Sequence, residues 1–113
     1  METQPERFYH GFVLGLAVEL SERYIITSNR ESGFGRYDVL MEPKNGTDNG
    51  VIMEFKVKDS EEGTLKETAE AALEQIEERK YGTVLESRGI APERIRKYGF
   101  AFEGKEVLIK SKE

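Results

Sequence analysis

The sequence predicts an α/β chain of the α+β kind, a mixed β-sheet of about five strands flanked by helices in the order α-β-β-β-α-β-β. Three observations carry this. Two segments, residues 5–21 and 64–80, repeat apolar side chains at helical spacing. Short runs rich in β-branched and aromatic residues lie between and after them. Clusters of Asn, Gly, Asp and Pro punctuate those runs.

In residues 5–21, Phe8, Phe12, Leu16 and Leu20 recur at four-residue steps, and Val13, Ala17 and Val18 widen the stripe. Pro5 suits a first helical turn. Gly11 and Gly15 each cost the helix about 1 kcal/mol against Ala; their spacing predicts a groove where another backbone approaches closely. Tyr24-Ile25-Ile26-Thr27 reads as a short strand, and Ser28 to Gly35 as a loop. A second strand covers residues 36–41 and stops at Pro43. The stretch 44–50 is turn chemistry throughout, and residues 51–58 form a third strand that reads as buried core. These two strands make a hairpin. In residues 64–80 the apolar face is Leu65, Ala69, Ala72, Leu73 and Ile76, with Thr64 as N-cap and Glu67 at the capping-box spacing. A short helix is predicted over 81–88, ended by Gly89. Two strands, 94–102 and 105–110, close the chain around a turn at Glu103-Gly104.

With 113 residues, positions 1–113 are expected to form one domain. No apolar run approaches the roughly 18 residues of a membrane span, and no secretory pattern opens the chain, so a cytoplasmic location without membrane attachment is expected. The absence of cysteine excludes disulfides, thiol catalysis and zinc–thiolate sites. The net charge of -5 argues against a nucleic-acid partner, because neutralising phosphates takes Lys and Arg. The distribution weakens that objection: eight acids against three bases fall in residues 59–80, while residues 81–113 hold seven bases and five acids. Most of the excess acid therefore belongs to one solvated helix.

The sharpest chemical signal lies in Val51-Ile52-Met53-Glu54-Phe55-Lys56-Val57. Side chains alternate along a strand, so Glu54 and Lys56 share one face and Met53, Phe55 and Val57 the other. A carboxylate and an ammonium inside an apolar strand are costly to desolvate without partners. Asp38 raises the same question in the preceding strand. The midpoint between 38 and 54 falls on Gly46, the centre of the turn, so symmetric antiparallel pairing sets Asp38 across from Glu54 with Cβ atoms about 5 Å apart. Two carboxylates that close repel unless a proton or cation separates them. A hard divalent ion, Mg²⁺ or Mn²⁺, suits such an all-oxygen site. The competing reading makes Lys56 a simple counter-charge to Glu54 or Asp38.

Asp38, a turn, then Glu54-Phe55-Lys56 on a buried strand resembles the active-site pattern of the PD-(D/E)XK nuclease superfamily. The resemblance extends to Ser28-Asn29-Arg30-Glu31-Ser32-Gly33, Gly35-Arg36-Tyr37-Asp38, Ala72-Leu73-Glu74-Gln75-Ile76 and Tyr98-Gly99-Phe100-Ala101-Phe102, and covers roughly residues 6–110. These motifs look like the nuclease module that often follows an AAA-ATPase-like domain. No proline precedes Asp38, a frequent departure in the superfamily. Some members carry a Gln and a Tyr four residues apart on the following helix; here Arg79 stands at that step from Gln75, with Tyr81 two further on.

The resemblance implies a restriction-endonuclease-like fold and a Mg²⁺- or Mn²⁺-dependent enzyme that hydrolyses phosphodiester bonds of nucleic acid, DNA foremost. It implies that Asp38 and Glu54 hold the metal with the backbone carbonyl of Phe55, and that Lys56 orients the attacking water and stabilises transition-state charge. Glu6 and His10, four apart on the first helix, are candidate additional ligands; the alternative for His10 is an ordinary hydrogen-bonded helix residue. Gln75 is a candidate for binding phosphate or a metal-bound water; the alternative is a solvent-exposed amide. Arg30 and Arg36 are candidates for phosphate contacts, with salt bridges to Glu31 or Glu54 as the competing explanation. Expected partners are nucleic acid, a second copy in a homodimer and an AAA-ATPase-like domain. The rival function is a non-catalytic module of the same fold that binds nucleic acid or docks to an ATPase. A third reading is a structural domain that dimerises through Gly11 and Gly15.

Overall fold

The computed structural model describes residues 4–30 and 36–112. Along the chain run α1 (Gln4–Leu20), β1 (Tyr24–Arg30), β2 (Arg36–Pro43), β3 (Gly50–Val57), α2 (Leu65–Glu78), α3 (Tyr81–Ser87), a 3₁₀ turn (Pro92–Arg94), β4 (Ile95–Glu103) and β5 (Glu106–Ser111). The strands form one sheet in the order β1-β2-β3-β4-β5. All neighbours are antiparallel except β3 and β4, which are parallel. A parallel pair needs a crossover, and the segment holding α2 and α3 supplies it. The predicted mixed sheet and element order match this architecture.

Alternation assigns each side chain to a layer. On one face Tyr37, Val39, Met41, Met53, Phe55, Phe100 and Phe102 form an apolar cluster under α1, with Tyr9, Phe12, Val13, Leu16 and Leu20 packed on it. Phe55 stacks on Phe100 with ring centroids 4.5 Å apart. Burying such a ring stabilises by about 1.5–3 kcal/mol. On the other face Ile52, Ile76, Leu85 and Ile90 make a smaller cluster with Leu40, Leu73, Tyr81 and Ile95, beneath α2 and α3. The central strand β3 is covered on both faces, which explains its nearly unbroken burial.

Thr64 caps α2 as expected, its Oγ1 accepting from the Glu67 amide at 3.1 Å, while the Glu67 carboxylate accepts from the Gly63 amide at 2.9 Å. A Cβ at Gly99 would collide with the Ala69 carbonyl and crowd Leu73 and Ala72. Glycine there is what lets α2 lie close on β4. Lys80 takes a left-handed conformation, φ 57°, between α2 and α3. This non-glycine turn separates the two helices, and α3 sets Leu85 into the cluster around Ile52.

Three expectations need correction. Ser28, Asn29 and Arg30 belong to β1, not to a loop, because they pair with Val39, Asp38 and Tyr37; the rest of that loop lies outside the described residues. The segment before β4 is a 3₁₀ turn over Pro92–Arg94, so the strand starts at Ile95. No heavy atom lies within 4 Å of a Cβ built at Gly11 or Gly15, so no backbone among the described residues occupies the predicted groove on α1.

Candidate functional site

The β2–β3 register sets Asp38 opposite Glu54, Arg36 opposite Lys56 and Leu40 opposite Ile52, without a bulge. The hairpin geometry inferred from Gly46 is therefore the observed one. Asn45 fixes the turn: its Oδ1 accepts from the amides of Thr47 at 2.9 Å and Asp48 at 2.8 Å, and Arg23 clamps Asp48 with two nitrogens. Asp38, Glu54 and Lys56 face α2 and α3 and are buried, at 0, 1 and 6% exposure.

The two acids are held very differently. Asp38 Oδ1 accepts from Asn29 Nδ2 at 3.0 Å, and Oδ2 accepts from the Tyr81 hydroxyl at 2.6 Å. From the opposite side of the sheet, Tyr9 donates to the Asp38 carbonyl at 3.3 Å and stacks on Tyr37. Neither carboxylate oxygen of Glu54 has a hydrogen-bond partner, and both are inaccessible. Burial, and then the Asp38 charge, push the Glu54 carboxyl up to about 8, against the opposing pull of Arg36. Burial, and then its bond to Asp38, raise the Tyr81 hydroxyl far above its ordinary value, so Tyr81 acts here as a donor.

Lys56 does not serve as counter-charge to Glu54. Its Nζ lies 2.8 Å from Glu62 Oε1 and 3.3 Å from Asp59 Oδ2, both in the segment leading to α2. The same Glu62 oxygen accepts from the Asp59 amide at 3.1 Å and the Thr68 hydroxyl at 2.9 Å. Burial drives the Glu62 carboxyl up, but these donors outweigh it and its pKa falls below the usual range. Gln75 is half-buried and accepts from Arg36 at 2.9 Å. Arg36, opposite Lys56 in the β2–β3 register, thus links the edge of the acid pair to Gln75 of α2.

The other candidates lie elsewhere. Glu6 is 3.7 Å from Arg30, whose guanidinium also sits over the Tyr37 ring. His10 packs its ring 5.6 Å from that of Tyr9. Among the described residues no group of three or more His, Cys, Asp or Glu side chains could hold a metal ion, so Glu6 and His10 are not gathered with Asp38 and Glu54. The reason is the layering: α1 covers the face of the sheet opposite the two carboxylates. Phe55 points its ring into that same layer, which leaves only its main chain near the acids.

Sequence reasoning missed Asn29, Tyr81, Glu62 and Asp59. The four-residue step from Gln75 lands on Arg79, and Tyr81, which reaches Asp38, follows the left-handed Lys80 at the start of a separate helix. Asn29 sits opposite Asp38 once β1 is extended, and only strand pairing reveals that.

A family model described as the PD-(D/E)XK nuclease superfamily matches residues 4–112. The chain belongs to this superfamily. No match to a curated protein or to a solved structure was found. In this PD-(D/E)XK chain the mixed five-stranded sheet agrees with the restriction-endonuclease-like fold, and the superfamily generally hydrolyses phosphodiester bonds. A divalent cation, which superfamily members typically use, fits the residues present. Two carboxylates meet across a strand pair, and one of them is buried without a partner. No helix among the described residues is long and apolar enough to cross a membrane.

Proposed function

We propose that this chain is a divalent-metal-dependent nuclease acting on phosphodiester bonds, with DNA the expected substrate. The carrying observation is the buried cross-strand pair of Asp38 with a Glu54 whose two oxygens have no partner. Asp38, Glu54 and the main-chain carbonyl of Phe55 would hold Mg²⁺ or Mn²⁺. When bound, the cation supplies Lewis acidity toward a phosphate oxygen and makes water a better nucleophile.

The remaining work belongs to the chain. Asn29 and Tyr81 hold both oxygens of Asp38 and fix its orientation. Lys56, steadied by Glu62, offers ammonium protons to orient the attacking water and to meet negative charge as it grows on the phosphorus oxygens. Arg36, steered by Gln75, presents a guanidinium to a non-bridging phosphate oxygen. Arg30, exposed at the end of β1, adds a phosphate contact farther from the acids. A cytoplasmic location and a single domain over residues 1–113 are part of this proposal, and both rest on the sequence reading. An AAA-ATPase-like partner rests on the sequence resemblance alone.

The test is cleavage of duplex, single-stranded and branched DNA and of RNA with Mg²⁺ or Mn²⁺, beside Glu54→Ala and Lys56→Ala. Each substitution is expected to lower the rate by about 10²-fold or more. Activity surviving both changes overturns the assignment. Binding without cleavage by the unaltered chain would favour the non-catalytic nuclease-fold module.

A further inference from the structure

β5 is an edge strand, hydrogen-bonded to β4 alone. It runs through Glu106-Val107-Leu108-Ile109-Lys110-Ser111 with no proline or glycine to blunt it. Val107 lies opposite Phe102 and Ile109 opposite Phe100, so both belong to the α1 face of the sheet. α1 leaves them uncovered: Val107 is 41% exposed and Ile109 55%, and Phe8, which packs on Phe102, is 39% exposed. An unpaired backbone edge thus adjoins an apolar patch. Glu106 and Lys110 lie on the other face by alternation.

We infer that β5 is a dimerisation edge, and that its partner is β5 of a second copy, paired antiparallel with Leu108 opposite Leu108. That register follows from the strand itself. Centred on Leu108, it sets each Glu106 opposite the second copy's Lys110, so two opposite-charge pairs form on one face. On the other face each Val107 meets Ile109, and the two apolar patches merge. Opposed charges and apolar cross-strand pairs each favour pairing, whereas like charges directly opposite disfavour it. The second edge strand, β1, has Arg30 as its one charged residue and so cannot form opposite-charge pairs with itself in any register. The dyad stands perpendicular to the sheet, so the buried Asp38–Glu54 pairs of both copies lie on the same face of one continuous sheet. The inference does not depend on catalysis and goes beyond the proposed function.

Sedimentation of the full chain tests it. The unaltered protein is expected to be a dimer. Glu106→Lys and Lys110→Glu, each alone, set like charges opposite one another twice and should weaken association about tenfold or more. An equimolar mixture of these two variants should regain the dimer, because the introduced lysine meets the introduced glutamate and the native pair survives on the other side. Leu14→Glu on α1 and Ile25→Glu on β1 should leave association unchanged. Lys110 also pairs with Glu70 at 3.2 Å; if circular dichroism shows its variant unfolded, Ile109→Glu replaces it and should dissociate the dimer. A chain that stays monomeric up to roughly 1 mM overturns the inference. So does a mixture that associates no better than its components, a dimer that Ile109→Glu leaves intact, or one broken by Leu14→Glu or Ile25→Glu.

Discussion

Asp38 receives a hydrogen bond on each carboxylate oxygen, whereas Glu54 across the strand pair receives none. Burial with the adjacent Asp38 charge therefore favours the protonated form of Glu54, up to about pH 8 in place of 4.5. Between those values the folded chain binds more protons than the unfolded one. The contribution of this group to metal-free stability is hence greatest below the ordinary value and declines by a few kcal/mol as pH rises through about 8. Glu54→Gln should flatten this decline in urea unfolding with chelator present; parallel pH profiles for the two proteins would refute it. A cation must displace the same proton, so Mg²⁺ or Mn²⁺ binding near pH 7 should release close to one proton by calorimetry in buffers of different ionisation enthalpy. For Asp38, Tyr81→Phe strands an acceptor oxygen in the interior. A loss of about 1–3 kcal/mol is expected in the metal-free protein, and a thermal midpoint equal to that of the unaltered chain would count against the bond.

At the scale of elements, the site depends on how closely α2 lies on the sheet. Glu62 and Gln75, which hold Lys56 and Arg36, are carried by α2 and its leading segment. Gly99 sets that approach, because any side chain there meets the Ala69 carbonyl. Gly99→Ala should cost at least about 1–3 kcal/mol through overpacking. It should also displace Glu62 and Gln75 together from Lys56 and Arg36. Unfolding measurements and amide shifts of α2 would check both, and an unchanged α2 spectrum would show that the helix is not set by this contact. The left-handed Lys80 belongs to the same scale: it separates α2 from α3, and Tyr81 reaches Asp38 from the start of that second helix.

At the scale of the molecule, a cation bound only by the folded chain shifts the folding equilibrium. At about ten times its Kd it should add about 1.4 kcal/mol, or about 4–8 °C in Tm. Glu54→Ala should abolish that gain. A thermal scan with and without Mn²⁺ reads it directly, and an equal gain in both proteins would place the cation elsewhere. The acidic surplus sits on α2, where Glu70 and Glu77 pair with Lys110, Lys97 and Lys112 of β4, β5 and the segment after it. Part of the net charge of -5 is thereby compensated within the fold.

The element order, the hairpin register and the meeting of Asp38 with Glu54 were legible in the sequence. They follow from alternation along strands and from a turn whose centre is marked by Gly46, both of which act over a few residues. The placement of Lys56 against Glu62, of Tyr81 and Asn29 against Asp38, and of α1 on the far side of the sheet was not legible. Those contacts depend on which face each helix covers and on a left-handed residue that composition does not mark. Short-range periodicity chooses the strands and their pairing; only packing in three dimensions chooses the charges that a buried carboxylate meets.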